Sequence, residues 1–158
     1  MSERLLLAND DALRAVAGAA GLAIVFDPEP HAGVLPALAA GLSVASGDVC
    51  LAVACDMPFV SRDLFQRELE LLEGADVVIP RTQDYLEPMH AVYRRGPVLA
   101  AIQAALARGE RRMISYFPDV RVREMPEAEW RPLDPAGRAF FNVNTPEDLA
   151  EAQRLASG

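Results

Sequence analysis

At 158 residues, with 51% hydrophobic and 24% charged side chains, the chain has the composition of one globular domain that buries about two-thirds of its unfolded surface. A net charge of −8 argues against nucleic acid as a main partner, because phosphate backbones are bound by basic patches. No apolar run approaches the roughly 20 residues needed to span a bilayer, and the start lacks a basic then apolar leader. A soluble, cytoplasmic protein with no membrane contact is the expectation.

All 15 cations are arginine, so a phosphate held inside this chain must be met by arginine, backbone N–H groups or a metal. Cys50 and Cys55 lie on or beside one predicted strand, on opposite faces, and read as buried apolar thiols rather than ligands.

Hydrophobic periodicity predicts a repeating strand–helix order. Leu5–Ala8 reads as a short buried strand, followed by a helix from Asp11 to Ala20. Leu22–Phe26 is a second strand, ending at Asp27. A Pro-Gly loop containing Gly33 leads into a helix from Leu35 to Ser46. The run Val49-Cys-Leu-Ala-Val-Ala-Cys-Asp-Met-Pro-Phe59 predicts a strand buried on both faces, stopped by Asp56 and Pro58. Ser61 suits the cap of a helix through Leu72, whose acids Glu68, Glu70 and Glu73 read as a solvated face.

Val77–Pro80 is a further strand and Glu87–Tyr93 an extended segment. A helix is predicted from Gly96 to Ala107, a short helix over Glu110–Phe117 and a strand over Val120–Glu124. The chain closes with a helix to Leu155. No repeat or linker divides it, so residues 1–158 are expected to form one α/β domain around a doubly wound, mostly parallel sheet.

Ligands of open α/β sheets gather at the carboxyl ends of strands, which makes Asp56 a candidate site carboxylate; strand-end turn chemistry is the alternative. In Asn142-Val-Asn-Thr-Pro-Glu-Asp-Leu149, helix initiation accounts for Thr145, Pro146 and Asp148. It leaves Asn142 and Asn144, two amides on one side of an extended segment, for a polar ligand or for backbone turns. His31 and His90 have no partner at metal-ligand spacing, and no Cys-His cluster suggests zinc.

Together, Leu7-Ala-Asn9, Gly21-Leu22 to Asp27, the Gly33 loop, Ala54-Cys-Asp-Met-Pro58, Glu87-Pro88, Gly109-Glu-Arg-Arg112 and Phe141 to Leu149 resemble the molybdenum cofactor guanylyltransferases, a MobA-like nucleotidyltransferase family. Related cytidylyltransferases tend to carry acids where this chain has Asn142 and Asn144. The resemblance implies a Rossmann-like, GT-A-type three-layer sandwich. It also implies transfer of GMP from GTP to molybdopterin with release of pyrophosphate, and service to a molybdoenzyme or cofactor-delivery protein.

Carried onto matching positions, the resemblance makes Asp56 the Mg2+ ligand, Asn9, Asp27 and Asp56 nucleotide contacts, and Gly33, Asn142 and Asn144 the molybdopterin side. Leu7 and Asp10 depart from the family pattern beside Asn9, as does the loop Gly33-Val-Leu-Pro-Ala37. The family's first strand and its glycine-rich triphosphate loop, with an Arg and a Lys, have no counterpart in these residues. The expectation is that this chain alone is inactive, through a misplaced start or a gene fragment. The competing readings are a nucleotidyltransferase with another acceptor, such as a sugar phosphate, and a non-catalytic molybdopterin-binding module.

Overall fold

Strands and helices alternate through a computed structural model that describes residues 3–8, 10–26, 33–83 and 85–157. In chain order they are β1 (Leu5–Ala8), α1 (Arg14–Ala19), β2 (Ala23–Phe26), α2 (Val34–Val44), β3 (Val49–Val53), α3 (Arg62–Leu71) and β4 (Val77–Pro80). There follow β5 (His90–Arg94), α4 (Arg95–Ala107), β6 (Val122–Met125), α5 (Glu127–Trp130) and α6 (Pro146–Ala156). Asn9 and Asp27 lie outside the described residues. The chain divides into two compact units, residues 1–50 with 93–121, and residues 51–92 with 122–158.

In the first unit β1 and β2 pair in parallel, Leu5 opposite Ala23 through Ala8 opposite Phe26. Helix α2 buries Leu35, Leu38 and Leu42, and α4 buries Val98, Ala101, Ile102 and Ala105. Each such leucine or valine stabilises the fold by roughly 1.5–3 kcal/mol relative to exposure. Gly41 lets α2 approach β1 closely, since a Cβ there would stand 2.9 Å from Leu7 Cδ1. The Glu3 carboxylate accepts from the Ser46 amide at 2.8 Å and its hydroxyl at 3.0 Å, and these bonds lower its pKa.

The second unit holds β4, β6, Leu51–Val53 of β3 and His90–Val92 of β5, from a sheet of order β3-β5-β4-β6 in which β4 and β6 run parallel. Every residue of β4 is buried, as expected of a strand covered on both faces. One side holds Phe65, Leu72, Val78 and Val92, with Val53 packed against them. A second cluster joins Leu64, Met125, Trp130 and Ala139. The Trp130 indole donates to the Arg81 carbonyl at 2.9 Å, so the ring is buried with its one polar atom paired.

Three expectations need correction. Strand β3 is not buried on both faces, since Val49 and Leu51 are exposed, and it also stands at the end of its sheet. Glu110–Phe117 forms a succession of turns before a 3-10 turn at Phe117–Asp119, with amides bonding three residues back, Ser115 to Arg112 and Phe117 to Ile114, rather than four. Cys55 is exposed rather than buried, since β3 stops at Val53 and Cys55 sits in the following turn.

Candidate active site

Asp56 stands three residues beyond β3, in a turn closed by the Met57 amide donating to the Ala54 carbonyl at 3.2 Å. The Ala54 amide donates to Met89 at 3.0 Å, which fixes the turn to the segment entering β5. Pro58 has no amide with which to continue a ladder. The Asp56 side chain is half-buried, and its Oδ1 is fully buried with no hydrogen-bond partner among the described residues. A carboxylate oxygen withdrawn from water without a donor is costly, and a hard cation is one group that offsets that cost.

The asparagine segment lies against this turn. The Val143 amide donates to the Asp56 carbonyl at 2.9 Å, and the Phe59 and Phe141 rings meet edge to face at 6.1 Å. The segment is fixed at both ends. At its start, the Ala139 amide donates to Asp134 at 2.8 Å and Gly137 adopts φ 63°, a left-handed conformation that glycine accepts without strain. At its end, Asp148 Oδ2 accepts from the Asn144 and Thr145 amides at 3.0 and 2.9 Å, while Thr145 Oγ1 accepts from the Asp148 amide at 3.1 Å. This is the reciprocal capping box of α6.

Asn142 Nδ2 donates to the Phe140 carbonyl at 3.3 Å, so part of this amide serves the backbone. Asn144 is exposed. The structure therefore brings Asp56, Asn142 and Asn144 together within the second unit. Gly33 belongs to the first unit, exposed at the N-terminal cap of α2 with φ 107°, where an L side chain is strained. Among the described residues no three His, Cys, Asp or Glu side chains gather as a metal cage. An ion at Asp56 would have to take its remaining ligands from water and substrate, which is the habit of Mg2+.

Glu68 was expected on a solvated helix face; it is fully buried. Its Oε1 lies 3.2 Å from Nδ1 of His90, which is equally buried. The His90 ring stacks on Phe65 at 4.1 Å and 6°, with the Phe140 ring edge-on at 5.6 Å. Burial pushes the Glu68 carboxyl up to about 7, against the opposing effect of its bond to His90. The spacing did carry a signal: Glu68 falls on the helical stripe of Leu64, Phe65 and Leu72, the face that α3 buries.

Residues 1–123 match the MobA-like NTP transferase domain. The chain belongs to that family. A protein of Pelotomaculum thermopropionicum named probable molybdenum cofactor guanylyltransferase is 40% identical over 136 residues, covering 86% of this chain and 66% of its own length. A protein of the same name from Natronomonas pharaonis is 31% identical over 154 residues, covering 94% of this chain and 74% of its own. The crystal structure of molybdopterin-guanine dinucleotide biosynthesis protein A from Archaeoglobus fulgidus superposes with a TM-score of 0.77 at 25% identity, over 97% of this chain and 78% of that one. The expected α/β nucleotidyltransferase fold is thus the fold of this MobA-like chain. Among the described residues no helix is long and apolar enough to cross a membrane.

Proposed function

We propose that this MobA-like protein transfers GMP from GTP to molybdopterin, giving molybdopterin guanine dinucleotide and pyrophosphate, in a Mg2+-dependent reaction in the cytoplasm. Residues 1–158 act in this reading as one nucleotidyltransferase domain. The observation that carries the reading is the buried Oδ1 of Asp56, without a partner among the described residues, in a turn bonded to the Asn142–Asn144 strap. The names of the two relatives favour molybdopterin over a sugar phosphate as acceptor.

Asp56 is the residue that would hold the metal, with Oδ1 as the ligand atom. Mg2+, when bound, supplies a Lewis acid that withdraws charge from the triphosphate as the α-phosphorus is attacked in line. Asp27 and Asn9 are assigned to the nucleotide; a carboxylate such as Asp27 accepts both donors of guanine's Watson–Crick edge. Asn142 and Asn144 are assigned to molybdopterin, Asn144 with its whole amide and Asn142 with the carbonyl oxygen left over from its backbone bond. Gly33 is likewise assigned to molybdopterin by the resemblance; its φ of 107° is a conformation that favours glycine.

A triphosphate needs several converging donors, and these residues hold no counterpart of the family's glycine-rich loop, so in this reading the 158-residue chain by itself is inactive. The test measures pyrophosphate and dinucleotide formation from GTP, Mg2+ and molybdopterin. It is run on this chain and on the chain preceded by the glycine-rich segment of a relative. Product formed from GTP only, and only by the extended form, is the expected result. A sugar phosphate accepted in place of molybdopterin would replace the acceptor. Molybdopterin binding without turnover by either form would favour a binding module.

A further inference from the structure

The buried Glu68–His90 pair has no part in the chemistry proposed above, yet it is expensive. Two ionisable side chains with no solvent exposure lie on α3 and β5, and both Glu68 Oε2 and His90 Nε2 lack a partner among the described residues. An apolar pair would fill the same space without that desolvation. What polar atoms add is orientation. One proton shared between Glu68 Oε1 and His90 Nδ1, 3.2 Å apart, fixes the angle of the imidazole about its own axis. Burial of Glu68 keeps such a proton available near neutrality.

Among the described residues, two aromatic rings meet the fixed imidazole in different ways. Phe65, stacked flat at 4.1 Å, belongs to the same helix as Glu68. Phe140, edge-on at 5.6 Å, begins the asparagine strap and is braced from another direction by Trp130 at 4.9 Å. The Phe140 carbonyl in turn accepts from the Asn142 side chain. A contiguous path therefore runs from the Glu68 carboxyl through the His90 and Phe140 rings to Asn142.

We propose that Glu68 is a positioning residue, acting through the His90 ring and Phe140 to hold the Asn142–Asn144 strap against the Asp56 turn. Its consequence for catalysis rests on the assignment of that strap to molybdopterin; its consequence for the strap does not. Glu68→Gln retains a polar partner for Nδ1 in either orientation of the amide, whereas Glu68→Leu fills the space and leaves the imidazole unanchored.

Amide hydrogen exchange in the full chain separates these variants. In Glu68→Leu the Val143 amide should exchange roughly tenfold faster or more while the β4 amides keep their protection, and Glu68→Gln should stay within about threefold of the parent. His90→Phe, which keeps a ring on Phe65 but deletes Nδ1, supplies the same comparison if Glu68→Leu does not fold. Unchanged Val143 exchange, equal acceleration in β4, or a Glu68→Gln variant as loose as Glu68→Leu would each overturn the proposal. In the extended active form, KM for molybdopterin should rise in Glu68→Leu with KM for GTP unchanged. A loosened strap without that rise would remove the strap from the molybdopterin site and leave the positioning role intact.

Discussion

The Val143 amide bonds to the carbonyl of Asp56 at 2.9 Å, joining the turn after a mid-chain strand to the segment that precedes the last helix. This one backbone bond sets the Asp56 turn, whose carboxylate has an oxygen without a partner among the described residues, beside the segment that carries Asn142 and Asn144. The acid suits a hard cation, and the amides suit a polar acceptor.

Asp56→Asn keeps the side-chain volume and the Asp56 carbonyl bond but removes the charge that would hold the metal. Outer-shell changes at metal sites already cost about 10–100-fold, so this variant of the extended form should lose at least about a hundredfold in kcat. Its circular dichroism should match that of the parent, and its urea midpoint should be no lower. Undiminished turnover would take Asp56 out of the metal site.

Thr145→Ala removes the hydroxyl that accepts from the Asp148 amide, and urea unfolding should show a loss of about 1 kcal/mol. Asp148→Ala should do more to function, because Asp148 Oδ2 also holds the Asn144 amide. KM for molybdopterin is expected to rise further in Asp148→Ala than in Thr145→Ala. The reverse order would show that cap strength alone, and not the strap, governs the acceptor.

Glu68 gives stability a pH dependence of definite sign. Its carboxyl is raised from 4.5 to about 7 in the folded protein, so the native state keeps a proton that the unfolded chain has released. The stabilisation is fully present below pH 4.5 and declines as the pH rises through about 7, by an amount on the order of 2–3 kcal/mol. Urea unfolding at pH 5 and pH 8 should show the parent weaker at pH 8. Glu68→Gln should flatten most of this slope, leaving the same-sign contribution of Glu87, whose carboxyl burial also raises. A slope unchanged in Glu68→Gln would mean that Glu68 does not titrate between the two states.

Strand β3 ends its sheet with Val49 and Leu51 exposed, and an apolar strand edge of this kind invites pairing with another chain. The purified 158-residue protein should therefore self-associate in sedimentation experiments. Leu51→Glu should shift it towards monomer, since a charge on an edge strand opposes such pairing. A parent protein monomeric at all concentrations would show that this edge is not available.

Most of the secondary structure could be read from the sequence because its causes are local. The cap at Ser61, the Thr145–Asp148 capping box and the apolar runs of β1, β2 and β4 each act within a few residues. The resemblance carried by Ala54-Cys-Asp-Met-Pro58 and Phe141 to Leu149 supplied the family, and with it the fold. Tertiary structure decided what depends on neighbours. Strand β3 has the sequence of a buried strand, but how much of it is covered depends on which strands and helices lie beside it. Glu68 and His90 lie 22 residues apart, and nothing local joins an acid on a helix to an imidazole on a strand. Only packing of α3 on the sheet removes both from water, and a buried carboxyl must then find a polar partner or lose its charge. The same holds for Asp56 and Val143: the sequence names the residues, and chain closure in space sets them against each other.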